Sequence, residues 1–237
     1  MQESLETVFG AMPFILQGAG ITAGTVLCAM LLGLLLGVPM AVGQTHGGSI
    51  LRRAIGLYVW FFRGVPILVL LYLFYFGLAY QVSSLHFNLA GREFSVSFEL
   101  SPFAASCIVL GLTSAAYQSQ IFRGAINSLP AGQLKAARAL GMRDSVAVMH
   151  VILPQALRLS IPGLSNEYSI LLKDSALVSV LGTMELMSRT KAIATSTAEY
   201  TAFYVTAALL YFIITILGVR GLRRLEKTLR IPGYTHV

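Results

Sequence analysis

The chain of 237 residues is 56% hydrophobic and only 11% charged, with a formal net charge of +7. A soluble domain carries about 25% charged residues, so this composition excludes an ordinary soluble enzyme and points to an all-α membrane protein. The basic excess does not indicate nucleic acid, because it is gathered into loops and no nucleic-acid motif accompanies it.

In chain order, about twelve residues carrying Glu3 and Glu6 form a short external segment. No basic stretch precedes the first apolar run, so a cleaved signal peptide is not expected. Residues 7–51 contain no Asp, Glu, Lys or Arg, and further charge-free runs cover 64–91, 100–122 and 200–219. Each is long enough for the roughly 20 residues that a spanning helix needs. A first helix is read over Gln17–Val42, where Gly18, Gly20, Gly24, Gly33 and Gly37 offer small faces for close packing. A second covers Ile55–Tyr80 and a third Pro102–Ile126, separated by a polar stretch, Gln81–Ser101, that suits a strand or an irregular external loop.

The region Val151–Leu186 is interrupted by Arg158, Glu167, Lys173 and Asp174 but stays rich in Leu, Ile and Val. It reads as a fourth helix facing protein, where neighbours or a watery cavity satisfy the backbone groups freed by Pro154, Pro162 and Gly163. A fifth helix covers Tyr200–Leu222. Cys28 and Cys107 lack CxxC spacing and read as small core residues. Met30, Phe74, Phe76 and Tyr211 read as packing or lipid contacts, and His46, His86, His150 and His236 are too scattered to form a metal site.

Basic residues favour the cytoplasmic side of short loops. Arg52 and Arg53, then Arg123, Lys135, Arg138 and Arg143, then Arg220, Arg223, Arg224, Lys227 and Arg230 alternate with non-basic loops. Five crossings follow, with the N-terminus outside and the C-terminus in the cytoplasm. No repeat or low-complexity linker divides the chain, so residues 1–237 read as one membrane domain. Its longest cytoplasmic feature, residues 127–150, contains a short amphipathic helix. Leu134, Ala137 and Leu140 recur at helical spacing, Pro130 suits the first turn and Gly141 the C-terminal cap.

The segment Lys135–Pro154 reads KAARALGMRDSVAVMHVILP. It resembles the EAA signature of bacterial ABC importer permeases, in which Glu-Ala-Ala precedes Gly by three intervening residues and an apolar-x-Leu-Pro by nine more. Ala136, Ala137, Gly141, Val151, Leu153 and Pro154 match, and Lys135 stands in place of Glu. FRGVP at Phe62–Pro66 resembles the FRGTP of the polar amino acid subfamily, with Val65 for Thr. AYQSQIFRGAI at Ala116–Ile126 resembles its AYxAEIxRGAI, with Gln120 for Glu, and Leu153–Leu186 is similar to its fourth helix.

The resemblance implies a type I ABC importer permease fold in the bacterial cytoplasmic (inner) membrane, and a subunit that translocates a polar or charged amino acid. It implies as partners a cytosolic ATPase dimer, a second permease chain (identical or homologous) and an extracytoplasmic amino acid binding protein. Lys135, Ala136, Ala137, Arg138, Leu140, Gly141 and Arg143 would form the ATPase coupling site. ATP and Mg would bind the partner and no cofactor this chain, which has no GxxxxGK[ST] loop and no candidate catalytic triad.

Intramembrane polar groups mark a pathway or a partner. Arg63, Tyr117, Gln118, Asn166, Glu167, Lys173 and Asp174 are the substrate-pathway candidates, since a zwitterion needs both charges nearby. The structural alternative is an internal network such as an Arg63–Glu167 ion pair. Glu185, near the external end of the fourth helix, reads as solvent-exposed. Two rival functions stay open: a transporter or channel working on an ion gradient, with the acidic residues of the fourth helix as coupling groups, and a membrane anchor whose loop scaffolds an enzyme.

Overall fold

The computed structural model describes residues 2–79, 85–89, 92–96 and 100–229. Tyr80, Gln81, Glu99, Arg230 and His236 lie outside the described residues, as do the side chains of Glu3, His86, Arg92 and Glu93.

The first helix, α1, runs unbroken over Gln2–His46. At 1.5 Å per residue its 45 residues extend roughly 68 Å. The expected external segment is thus the first turns of the same helix. It packs most extensively along Pro102–Ser128 (called α4 below), whose N-terminus is capped by Ser101 Oγ accepting from the Ala104 amide at 3.2 Å. Close approach is built into the sequence: a Cβ at Gly37 would meet the Ser119 amide nitrogen at 3.1 Å and the Ala115 carbonyl at 3.2 Å. Gly20 and Gly24 make no such approach, with nothing within 4 Å.

The second expected helix is two. Ser49–Gly64 (α2) and Ile67–Tyr72 (α3), the latter continued by a π turn over Leu73–Ala79, meet at a bend of 106°. Pro66 cannot donate to the helix ladder and drives Val65 out of the helical region, to φ −95° and ψ 132°. Tyr58 on α2 donates to the Leu112 carbonyl of α4 at 2.7 Å, fixing this arm against the bundle. Leu85–Leu89 (β1) and Arg92–Val96 (β2) pair antiparallel, Leu85 opposite Val96.

After α4 come Ala131–Ala139 (α5), Asp144–Ala147 (α6), a π turn at Val148–Ile152, Leu153–Leu159 (α7) and Ile161–Asp174 (α8), which continues as a 3₁₀ turn over Ser175–Leu181. The expected fourth helix is therefore also broken, by 53° beside Pro162. Leu186–Thr197 (α9) and Tyr200–Thr228 (α10) complete the chain.

Among the described residues, two helices are long and apolar enough to cross a membrane alone, Glu6–His46 and Tyr200–Thr228, and each bent pair passes when taken together. The 27-residue α4 has the length but not the apolarity. It is the central helix, burying Ser106, Ser114, Gln118 and Ser119 as well as Val109, Leu110 and Phe122, so protein rather than lipid faces its polar groups. Cys28 and Cys107 correct the expectation of core residues: both are free thiols, the first exposed and the second half-buried.

Candidate functional site

The break between α2 and α3 opens a cavity of about 310 Å³. Arg63, Val65, Pro66, Thr113, Tyr117 and Asp174 contribute to its wall. The Arg63 guanidinium sits 4.9 Å from the Tyr117 ring centroid, a cation–π contact that orients it without neutralising it. Asp174, at the end of α8, is half-buried. Thr113 Oγ1 is buried and has no hydrogen-bond partner among the described residues. One small space thus offers a guanidinium and a carboxylate, with the Thr113 hydroxyl buried in the wall behind them. That combination can hold a zwitterion, the guanidinium taking a carboxylate in fork geometry and Asp174 an ammonium.

Of the seven pathway candidates, the structure brings together Arg63, Tyr117 and Asp174. Gln118 and Glu167 belong to a hydrogen-bonded network outside the cavity wall. Ser114 Oγ donates to Glu167 Oε1 at 2.8 Å, while Gln118 Nε2 donates to Ser114 Oγ at 3.0 Å and to the Met30 carbonyl at 3.1 Å. These bonds tie α8, α4 and α1 together, and they give Met30 a role that its apolar side chain did not announce. Gln118 Oε1 is left buried without a partner among the described residues. The Arg63–Glu167 pair is not made: among the described residues the ion pair within 4 Å is Arg138–Asp144. Asn166 is exposed and lines a second polar cavity of about 260 Å³ with Ser169, Arg223 and Glu226, between α8 and α10. Lys173 is exposed and lines neither space. Gln120 binds across to Gln44 Oε1 at 2.9 Å.

Glu185 overturns the expectation of solvent exposure. It is fully buried and caps α9, accepting from the amides of Met187 at 2.8 Å and Ser188 at 2.7 Å. Tyr211 of α10 donates to it at 2.9 Å and Thr22 of α1 at 3.3 Å. A carboxylate with this many donors joins three helices, and Tyr211 is a hydrogen-bond donor as well as a packing group. Thr113, Ser114 and Thr22 were invisible in sequence, because hydroxyls on apolar helices carry no signature until a neighbour is known.

At one end of the bundle, α5 forms a small, tightly finished knob. Gly141 adopts φ 81°, the left-handed conformation of a helix-terminating glycine. Its amide donates to the Arg138 carbonyl at 2.9 Å and that of Met142 to the Ala137 carbonyl at 3.1 Å, the double closure of a Schellman motif. Pro130 stands one place earlier than expected, as the N-cap. Gln133 and Gln155 exchange amide hydrogen bonds at 3.0 and 2.7 Å, fixing α5 to α7. The apolar stripe holds only in part: Ala137 is buried and Leu134 half-buried, but Leu140 is 84% exposed. Lys135, Ala136, Arg138, Gly141 and Arg143 are exposed as well. Arg138 Nε and Nη2 reach the two Asp144 oxygens at 2.7 and 2.8 Å, and this charge-assisted pair holds the Asp144 carboxyl below the usual carboxylate range.

The model of the binding-protein-dependent transport system inner membrane component matches residues 11–231. The arginine ABC transporter permease protein ArtQ of Escherichia coli is 36% identical over 219 residues, covering 89% of this chain and 92% of ArtQ. The octopine transport system permease protein OccQ of Rhizobium meliloti is 37% identical over 212 residues, covering 90% and 88%. A solved amino acid ABC transporter with histidines superposes with a TM-score of 0.79 at 29% identity, over 93% of this chain and 96% of that one. The inward-facing MetNI methionine ABC transporter shares the fold, with a TM-score of 0.78 at 18% identity over 94% and 99%.

Proposed function

Because the chain belongs to the family of inner membrane components of binding-protein-dependent transport systems, we propose that it is the permease subunit of an ATP-driven ABC importer for a polar or charged amino acid. The observation that carries the ATP-driven reading is the knob at Ala131–Gly141, a rigid exposed helix of the kind that seats in a partner's groove. The names of the relatives support this reading over an ion-gradient transporter. The whole chain acts as one permease domain, with 127–150 as its coupling loop, and crosses the bacterial inner membrane five times with the N-terminus outside.

A cytosolic ATPase dimer binds beneath, holding ATP and Mg, and an external amino acid binding protein delivers substrate from above. A second permease chain, identical or homologous, completes the pore. Lys135, Ala136, Ala137, Arg138, Leu140, Gly141 and Arg143 make the coupling surface. Arg63, Tyr117 and Asp174 hold the amino acid's charged groups at the helix break, while exposed Asn166 and Lys173 of α8 line the route between permease chains, since polar side chains at membrane depth avoid lipid. Glu167 and Gln118 hold α8 to α4 behind that route.

The test is uptake of labelled amino acids into proteoliposomes containing the assembled complex, with ATP on the ATPase side and binding protein on the other. Uptake requires ATP and falls in Asp174→Asn. Uptake that follows an ion gradient and ignores ATP sinks the assignment.

A further inference from the structure

We propose that the knob selects an ATPase whose docking groove is acidic, with carboxylates opposite Lys135 and Arg143 and an apolar socket for Leu140; this rests on the ATP-driven reading above. Three basic side chains mark this segment, and they are not equivalent. Arg138 is neutralised within the chain by its two-point contact with Asp144. The Lys135 and Arg143 side chains are exposed and make no hydrogen bond or ion pair among the described residues, so two uncompensated cations remain on the knob and the turn that follows it. Leu140, the C-cap of this helix, is 84% exposed. A large apolar side chain presented on a rigid turn fits a socket in a partner, where burial contributes to binding.

The shape argues for a protein surface rather than lipid headgroups. The Schellman closure at Gly141, the Gln133–Gln155 exchange, the buried Ala137 and the Arg138–Asp144 pair fix the backbone that carries these side chains. Preorganisation lowers the ordering cost of docking into a groove of matching form. Attraction to a fluid anionic headgroup layer needs only charge. The uncompensated charge then sets the sign of the partner, because like charges across an interface oppose docking and opposite charges steer it.

Carbodiimide treatment of the full complex, held in discs of zwitterionic lipid, provides the test. The reagent activates carboxylates, and a lysine amine in contact with one displaces the activating group as urea to form an amide. Peptide mapping is expected to find Lys135 joined to an Asp or Glu of the ATPase. The link vanishes in Lys135→Arg, which keeps the charge without the reactive amine. Lys135→Glu weakens ATPase association about tenfold at low salt, and the deficit shrinks as salt screens it. If the ATPase stays bound with no link at Lys135, and Lys135→Glu binds as tightly as the parent chain, the acidic groove is overturned while the ATP-driven reading stands. A Lys135→Glu deficit confined to discs containing anionic lipid overturns it in favour of headgroup contact. If no ATPase binds the parent chain, the ATP-driven reading falls and the groove with it.

Discussion

The cavity at the α2–α3 break and the knob at α5 solve opposite problems with the same few residue types. At the break, Pro66 interrupts the backbone ladder, and among the described residues Arg63 rests on an aromatic face with no ion-pair partner and the buried Thr113 hydroxyl has no hydrogen-bond partner. At the knob, the terminal carbonyls are closed by Gly141 and Met142, and the local acid is matched by Arg138. On the proposed function, unfinished polar groups receive a small, transient guest. Finished ones make a surface stiff enough to pass a push from one protein to another. The difference predicts that damage at the break weakens substrate movement while the assembly survives, and that damage at the knob separates ATP hydrolysis from movement.

The largest expected effect is at the break. Arg63→Ala lowers initial uptake on the order of a hundredfold, because a charge-assisted hydrogen bond to the substrate carboxylate is lost, while the ATPase co-purifies unchanged. Loss of the assembly instead would make Arg63 a packing residue and erase the contrast. Next, Gly141→Val forces a β-branched residue to φ 81°, at a cost of about 1–2 kcal/mol to the knob. Uptake falls about tenfold, with ATP hydrolysis persisting but no longer stimulated by binding protein, as coupled assays of both activities can show. A smaller effect sharpens the boundary of the cavity. Ser114→Ala removes the donor to Glu167 and costs about 1–3 kcal/mol of stability, visible in thermal unfolding, with less loss of uptake than Arg63→Ala.

The smallest effect concerns pH. The Asp144 carboxyl titrates below its free value near 4 because Arg138 hydrogen-bonds the charged form. Its contribution is present above the unfolded value and lost only as pH falls through the lowered folded value. ATPase affinity between about pH 8 and pH 5 should therefore show no step from this pair, and a step near pH 4 would mean that Arg138 has left Asp144 for the partner and returned the carboxyl to its free value.

The sequence carried the knob almost whole. Gly141 and the spacing to Pro154 are local signals, and local hydrogen bonds realise them. Leu140 escaped because three positions at helical spacing do not say where the helix stops, and the stripe ends one residue before the turn. The break was half legible: Arg63 and Asp174 stood out as intramembrane charges, but reading 55–80 as one helix ignored what Pro66 does to Val65. Glu185 was misplaced for a different reason. Its donors come from Thr22 and Tyr211, 163 residues before it and 26 after, and no pattern within one segment announces them.

The polarity of α4 bears on how the chain is made. A segment carrying Ser106, Thr113, Ser114, Gln118, Ser119 and Gln120 partitions poorly into lipid by itself, yet it must arrive at the centre of the bundle. Its partner α1 is synthesised first and is apolar throughout its middle, so the nascent chain supplies a surface against which the later, wetter segment can leave the translocon. Insertion of α4 measured by a glycosylation reporter should be poor in isolation and restored when α1 precedes it; equal insertion in both contexts would show that α4 needs no such escort.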